Sequence, residues 1–95
     1  ALPILLMTTV IKFYANWCGP CKRYGPIFEE VRKENKGNRN VKFYEVNIDK
    51  DKSGLASKFK VESIPTTVVI TSEGIFKNYI GELSKEEVNK LIKVI

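Results

Sequence analysis

The chain has 95 residues, 43% of them hydrophobic and 28% charged, with four prolines. That length suits one domain with a modest core and is too short for two, and the composition is that of a globular chain and not a disordered one. Sixteen basic against 11 acidic residues give a formal charge of +5, but carboxylates interrupt the cations, as in Arg32-Lys33-Glu34 and Lys85-Glu86-Glu87. A nucleic-acid interface needs a dense basic stripe with interleaved aromatics, so a solvated surface is expected instead. Ile4-Leu5-Leu6-Met7 is far too short to cross a bilayer. The chain starts at Ala1 without the basic lead-in of a signal peptide.

From Leu2 to Ala15 nearly every residue is apolar or β-branched, the pattern of a strand buried on both faces of a parallel sheet. The central strand is placed at about Thr9 to Tyr14. A helical period follows from about Cys18 to Asn35, with Ile27, Phe28 and Val31 on the apolar side and charge opposite. Pro26 removes a ladder hydrogen bond and is expected to kink this helix. Lys36-Gly37-Asn38-Arg39-Asn40 reads as a stop and a loop.

Val41 to Ile48 alternates as a second strand, with Val41, Phe43, Glu45 and Asn47 on one side and Tyr44, Val46 and Ile48 on the other. A helix joining two parallel strands makes a right-handed crossover. Asp51 or Ser53 is the expected cap of a short helix containing Leu55, Ala56 and Phe59, and Val61 to Pro65 is a loop. Thr66 to Thr71 and Ile75 to Ile80 are two strands joined by Ser72-Glu73-Gly74, an antiparallel hairpin. Ser84-Lys85-Glu86-Glu87 caps a closing helix whose stripe is Val88, Leu91, Ile92 and Ile95. The expected fold class is α/β, a central mixed sheet of about four strands flanked by helices, in one domain over residues 1–95.

The only two cysteines lie in Trp17-Cys18-Gly19-Pro20-Cys21-Lys22, at the first strand-to-helix junction. A helix starting there aims its unpaired N–H groups and the positive end of its dipole at Cys18, favouring thiolate over thiol. Cys18 is the candidate nucleophile. Cys21 lies about one turn further on, roughly 5 Å away between Cα atoms, so the pair can close into a disulfide and reopen. Gly19 permits close approach of another chain and Pro20 suits a first helical turn, which together favour a reactive, exposed loop. A structural staple would join distant segments, since closing so short a loop removes little entropy from the unfolded chain. A zinc site needs four ligands, and the chain has no His and no further Cys, so no metal is expected. Cysteines confined to one redox motif point to a reducing compartment, the cytoplasm.

The hexapeptide, with Ile64-Pro65-Thr66 and Gly81 downstream, resembles the thioredoxin family, and the similarity runs from about Val10 to the C-terminus. The resemblance implies the thioredoxin fold, with an N-terminal strand-helix unit that is short or missing here, since only 17 residues precede Cys18. A missing unit would uncover a sheet edge and raise the question of dimerisation, although a monomer is the expectation. The implied activity is reduction of protein disulfides through Cys18 and Cys21. No cofactor is implied beyond that redox-active disulfide, and no dinucleotide fingerprint is present. The implied partners are protein disulfides and a thioredoxin reductase or other dithiol donor, with neither nucleic acid nor membrane. Pro65 is implied to be a cis-proline opposite the cysteines, with Ser63, Ile64, Ile80, Gly81 and Glu82 completing a shallow apolar platform around Trp17 and Pro20. Alternative readings are a glutaredoxin-like or partner-specific redox protein, or a thioredoxin-fold binding subunit without turnover.

Lys12 departs from the family pattern, in which a buried aspartate at this strand position is assigned to proton transfer with the second cysteine. A protonated ammonium cannot replace an acceptor without changing the route. Glu45 stands where some relatives carry the lysine facing that aspartate, so the two charges are exchanged between adjacent strands. One reading has Lys12 and Glu45 paired behind Cys21, with Lys12 stabilising a thiolate and Glu45 relaying the proton. The other has Lys12 snorkelling to solvent and Glu45 merely exposed.

Overall fold

The computed structural model describes residues 7–93. In chain order the elements are β1 (Thr8–Tyr14), α1 (Gly19–Glu34), β2 (Val41–Asn47), a 3-10 turn (Ile48–Lys50), α2 (Leu55–Lys58), β3 (Thr66–Thr71), β4 (Phe76–Ile80) and α3 (Lys85–Leu91). Four strands form one sheet in the order β2-β1-β3-β4. β1 runs parallel to β2, from Thr8 beside Val41 to Tyr14 beside Asn47, and antiparallel to β3, which pairs antiparallel with β4.

Alternation along β1 sorts its side chains between two cores. Val10 packs with Tyr24, Phe28 and Val31 of α1, Val41 of β2 and Val88 of α3. Ile11 and Phe13 point to the opposite face, with Val68 and the α2 residues Leu55 and Ala56. The sheet thus lies between α1 with α3 on one side and α2 on the other.

Cys18 is the N-cap of α1, and Gly19 and Pro20 open its first turn, where proline's missing N–H costs no ladder bond. Pro26 lies inside α1, and the helix continues through it as one element to Glu34. Asn35 ends it, donating a 2.8 Å side-chain bond to the Val31 carbonyl.

The structure meets the sequence-based expectations in some local details, the Asp51 cap and the Ser84–Glu87 box, and differs in others. β2 ends at Asn47, whose side chain accepts the Asp49 N–H at 3.0 Å and starts the 3-10 turn. α2 is capped from a distance by Asp51, whose carboxylate accepts from Leu55 N–H at 2.9 Å and Ala56 N–H at 2.8 Å, while Ser53 takes no part. β4 begins at Phe76, because Ile75 closes the hairpin by accepting the Thr71 N–H at 2.8 Å and donating its own N–H to Thr71 Oγ1 at 3.2 Å. At α3 the Ser84 and Glu87 side chains cap each other's backbone N–H reciprocally. The apolar lead-in over residues 2–6 and the last stripe residue, Ile95, lie outside the described residues. Among the described residues no helix is long and apolar enough to cross a membrane.

Candidate active site

Cys18 and Cys21 are joined in a disulfide, with their Cα atoms 5.2 Å apart. The Cys21 N–H donates to Cys18 Sγ at 3.2 Å, and the Lys22 N–H reaches the Cys18 carbonyl at 3.2 Å. One otherwise orphaned donor of the helix start is therefore aimed at the first sulfur. The expectation of an exposed loop holds for Gly19 and Pro20 but not for the cysteines. Cys18 is 6% exposed and Cys21 5%, packed with Ala15 and against Tyr14, Ile48 and Ile64. A disulfide is an apolar group, and the surrounding side chains close over it.

The loop before β3 faces the cysteines. The Ile64–Pro65 peptide is cis, and the Ile64 carbonyl lies 3.9 Å from Cys18 Sγ. The Pro65 carbonyl accepts the Gly81 N–H at 2.8 Å, which fastens the end of β4 beside this loop. Gly81 sits at φ +95°, a conformation open to glycine and strained for other residues. The Ser63 carbonyl accepts from Thr66 Oγ1 at 2.7 Å. Two large apolar side chains are exposed on the flanking segments, Trp17 next to Cys18 at 66% and Ile80, paired with Thr66 after the cis-proline, at 75%.

Two polar partners of this rim escaped sequence reasoning. The Trp17 indole N–H donates to Asp49 Oδ2 at 2.9 Å, across 32 residues of chain. Glu82 is held by Arg23, whose Nη2 lies 3.0 Å from Glu82 Oε1 and whose Nε–H donates to the same carboxylate. Neither pairing has a local signal, because each joins segments that only the fold brings together. Beside Trp17 a cavity of about 270 Å³ is lined by Ile48, Ala56, Val61 and Ile64, with Glu62 and Ser63 at its edge.

Lys12 lies in the interior, 5% exposed, which overturns its snorkelling to solvent, while Glu45 is exposed, as that alternative had it. β1 is flanked by strands on both sides, so a side chain on its α1-facing surface has no sheet edge to leave by. Lys12 Nζ is 3.7 Å from Glu45 Oε2 on the residue directly opposite in β2. It also sits 5.0 Å from the Tyr14 ring centroid and 5.2 Å from that of Phe28, a cation–π arrangement. Lys12 and Cys21 line one solvent-open cavity of about 280 Å³. Nearby in the core, burial pushes the Tyr24 hydroxyl up to about 12. Among the described residues no group of three or more His, Cys, Asp or Glu is placed to hold a metal.

Two sulfurs one helical turn apart, held between a helix start and a cis-proline loop, can alternate between dithiol and disulfide and pass two electrons at a time. That chemistry defines a thiol-disulfide oxidoreductase.

Comparison with known proteins agrees. Residues 6–94 match the Thioredoxin family. The thioredoxin of Mycoplasmoides gallisepticum is 39% identical over 84 residues, which cover 88% of this chain and 80% of that protein. The thioredoxin of Borreliella burgdorferi is 40% identical over 84 residues, 88% of this chain and 69% of the relative. Among solved structures, Fasciola hepatica thioredoxin superposes with a TM-score of 0.78 at 28% identity, covering 94% of this chain and 81% of its own. Malassezia sympodialis thioredoxin gives 0.76 at 32% identity, covering 92% and 73%. The chain belongs to the thioredoxin family. It is a protein-disulfide oxidoreductase, and membership implies protein disulfides as substrates and a reductase as partner.

Proposed function

We propose that Cys18 is the attacking residue and Cys21 the resolving one in the reduction of protein disulfides. The observation that carries this assignment is the Cys21 N–H bond to Cys18 Sγ at 3.2 Å, a donor that binds an anionic sulfur more strongly than a neutral one. In the dithiol form, Cys18 thiolate attacks a substrate disulfide, joining one substrate sulfur and expelling the other, which takes up a proton. Cys21 then attacks Cys18 Sγ, the intermolecular bond breaks, and the second substrate sulfur leaves as a thiol. The substrate gains two electrons and two protons, and Cys18–Cys21 is left oxidised. A thioredoxin reductase or another dithiol donor returns the electrons.

In this reading Ser63, Ile64 and the cis Pro65 form one wall of the docking surface, where an extended substrate meets backbone groups. Trp17, Gly19, Pro20, Ile80 and Gly81 form the rest, and Glu82 contributes to its charged rim. Residues 1–95 act as one domain and as a monomer, without a dissociable cofactor, in the reducing cytoplasm. The support for that compartment is a cysteine inventory limited to the redox pair.

Insulin reduction driven by dithiothreitol tests the assignment. The parent should precipitate the insulin B chain catalytically and Cys18→Ser should be inert, while Cys21→Ser should accumulate a stable mixed disulfide through Cys18. A chain that binds reduced or oxidised proteins but never accelerates the reaction would be a binding subunit instead.

A further inference from the structure

Lys12 is a buried cation that the exchange steps above leave without a task. An ammonium that is 5% exposed has lost most of its hydration, and such a group persists only where the interior supplies compensation. Here that compensation is the exposed Glu45 carboxylate at 3.7 Å, a weaker attraction to Glu29 of α1, and two aromatic faces at 5.0 and 5.2 Å.

The position of the ammonium relative to Cys21 suggests its use. Lys12 and Cys21 line the same solvent-open cavity, and Glu45 does not, so within the pair it is the lysine that shares a cavity with Cys21. The other titratable groups facing Cys21 are Tyr14 from β1, Lys22 from α1 and Cys18 itself. The 3-10 turn and the loop before β3 present Ile48 and Ile64, which carry no charge. Among the described residues lining this cavity there is no carboxylate to act as a base.

We propose that Lys12 is a positioning residue for the resolving step: its ammonium holds reduced Cys21 as a thiolate, ready to attack Cys18, with no general base required. Glu45 serves as the counter-charge that keeps the ammonium in the interior, and the Cys21 proton leaves through the open cavity before attack. During attack the electron pair of the Cys21 sulfur forms the Cys18–Cys21 bond, the Cys18–substrate bond breaks, and the substrate sulfur departs with the pair of that broken bond and takes a proton from water. This inference rests on the roles assigned above to Cys18 and Cys21.

Its test is separable from turnover. In a Cys18→Ser background the thiolate absorbance of Cys21 near 240 nm is followed against pH. Lys12→Met should raise the midpoint by about one to three pH units, the range an adjacent opposite charge commands. Lys12→Arg, which keeps the charge, should stay close to the parent. An unchanged midpoint in Lys12→Met overturns the proposal, and so does an equal rise in Lys12→Arg, which would make packing and not charge the cause. If Lys12→Met does not fold, Lys12→Gln decides in the same background: loss of the charge should raise the midpoint, and a midpoint unchanged overturns the proposal. With both cysteines present, dithiobis-nitrobenzoate reports the resolving step as release of its second chromophore. That step should need higher pH in Lys12→Met than in the parent. Failure of the parent to reduce insulin would count against the proposed activity and leave the Cys21 titration readable.

Discussion

The hydroxyls of Tyr24 and Thr67 meet at 2.7 Å in the interior, tying α1 to β3 directly beneath the site. Both residues are fully buried, so neither hydroxyl has water to fall back on. Ionising Tyr24 would place an anion in that setting. Burial therefore pushes it from 10 to about 12, Glu87 adds to the rise, and the Thr67 bond opposes it.

The folded value lies above the unfolded one, so this contribution to stability is complete below pH 10 and is lost as pH climbs through about 12. The loss should be on the order of 2–3 kcal/mol. Urea midpoints compared at pH 9 and 12 should fall more steeply for the parent than for Tyr24→Phe. At pH 7 the same variant should be less stable by about 1 kcal/mol or somewhat more, because Thr67 loses its buried partner.

Phe28 stands edge-on to both Tyr24 and Phe43, at centroid distances of 5.9 and 5.7 Å, and has no exposed surface. Phe28→Ala should cost roughly 3–5 kcal/mol in urea unfolding, a large share of what a domain this size has. It also removes one of the two rings beneath Lys12, so near-ultraviolet circular dichroism of the surviving fold should change.

The capping box of α3 has an acid-side signature. Hydrogen bonds from the Ser84 backbone and side chain hold the Glu87 carboxyl below its ordinary value. A depressed folded value means stability present above the usual carboxylate range and lost as pH falls through the folded value. Glu87→Gln should therefore be less sensitive than the parent to acidification from pH 6 to pH 2, measured by thermal unfolding. Ser84→Ala should cost about 1 kcal/mol at neutral pH through loss of the cap.

Asp49 orients the indole of Trp17 through a surface bond of 2.9 Å. Exposed polar contacts contribute little to stability, so Asp49→Ala should unfold within about 0.5 kcal/mol of the parent. Insulin-reduction kcat/KM should nevertheless drop several-fold, because the exposed ring loses a fixed orientation. Unaltered kinetics would show that Trp17 needs no such support.

Much of the architecture was legible before the fold was known. A continuous apolar and β-branched run marked β1, alternation marked β2, helical spacing marked α1 and α3, and Ser72-Glu73-Gly74 marked the hairpin between β3 and β4. Each signal lies within a few residues of what it predicts. The Asp51 cap of α2 was legible too, four and five residues ahead of the N–H groups it accepts from; the reading slipped where Thr71 drew Ile75 into the turn. At the site, the cysteine pair was legible from spacing and Pro65 from family resemblance. Asp49 and Arg23 were not, since each acts on a residue more than thirty positions away.

The amino-acid order by itself determined the disulfide pair at a helix start, the strand and helix periods, and the presence of a cation in a central strand. These depend on covalent spacing and on neighbours one turn or one strand repeat apart. Only the tertiary structure decided where Lys12 goes. Strand register sets Glu45 opposite it, Phe28 and Tyr14 cover it, and the flanking strands leave no path along the sheet to water. The same packing buries the cysteines that their flanking Gly19 and Pro20 had suggested would be exposed, because burial is set by long-range contacts that no local stretch of chain encodes.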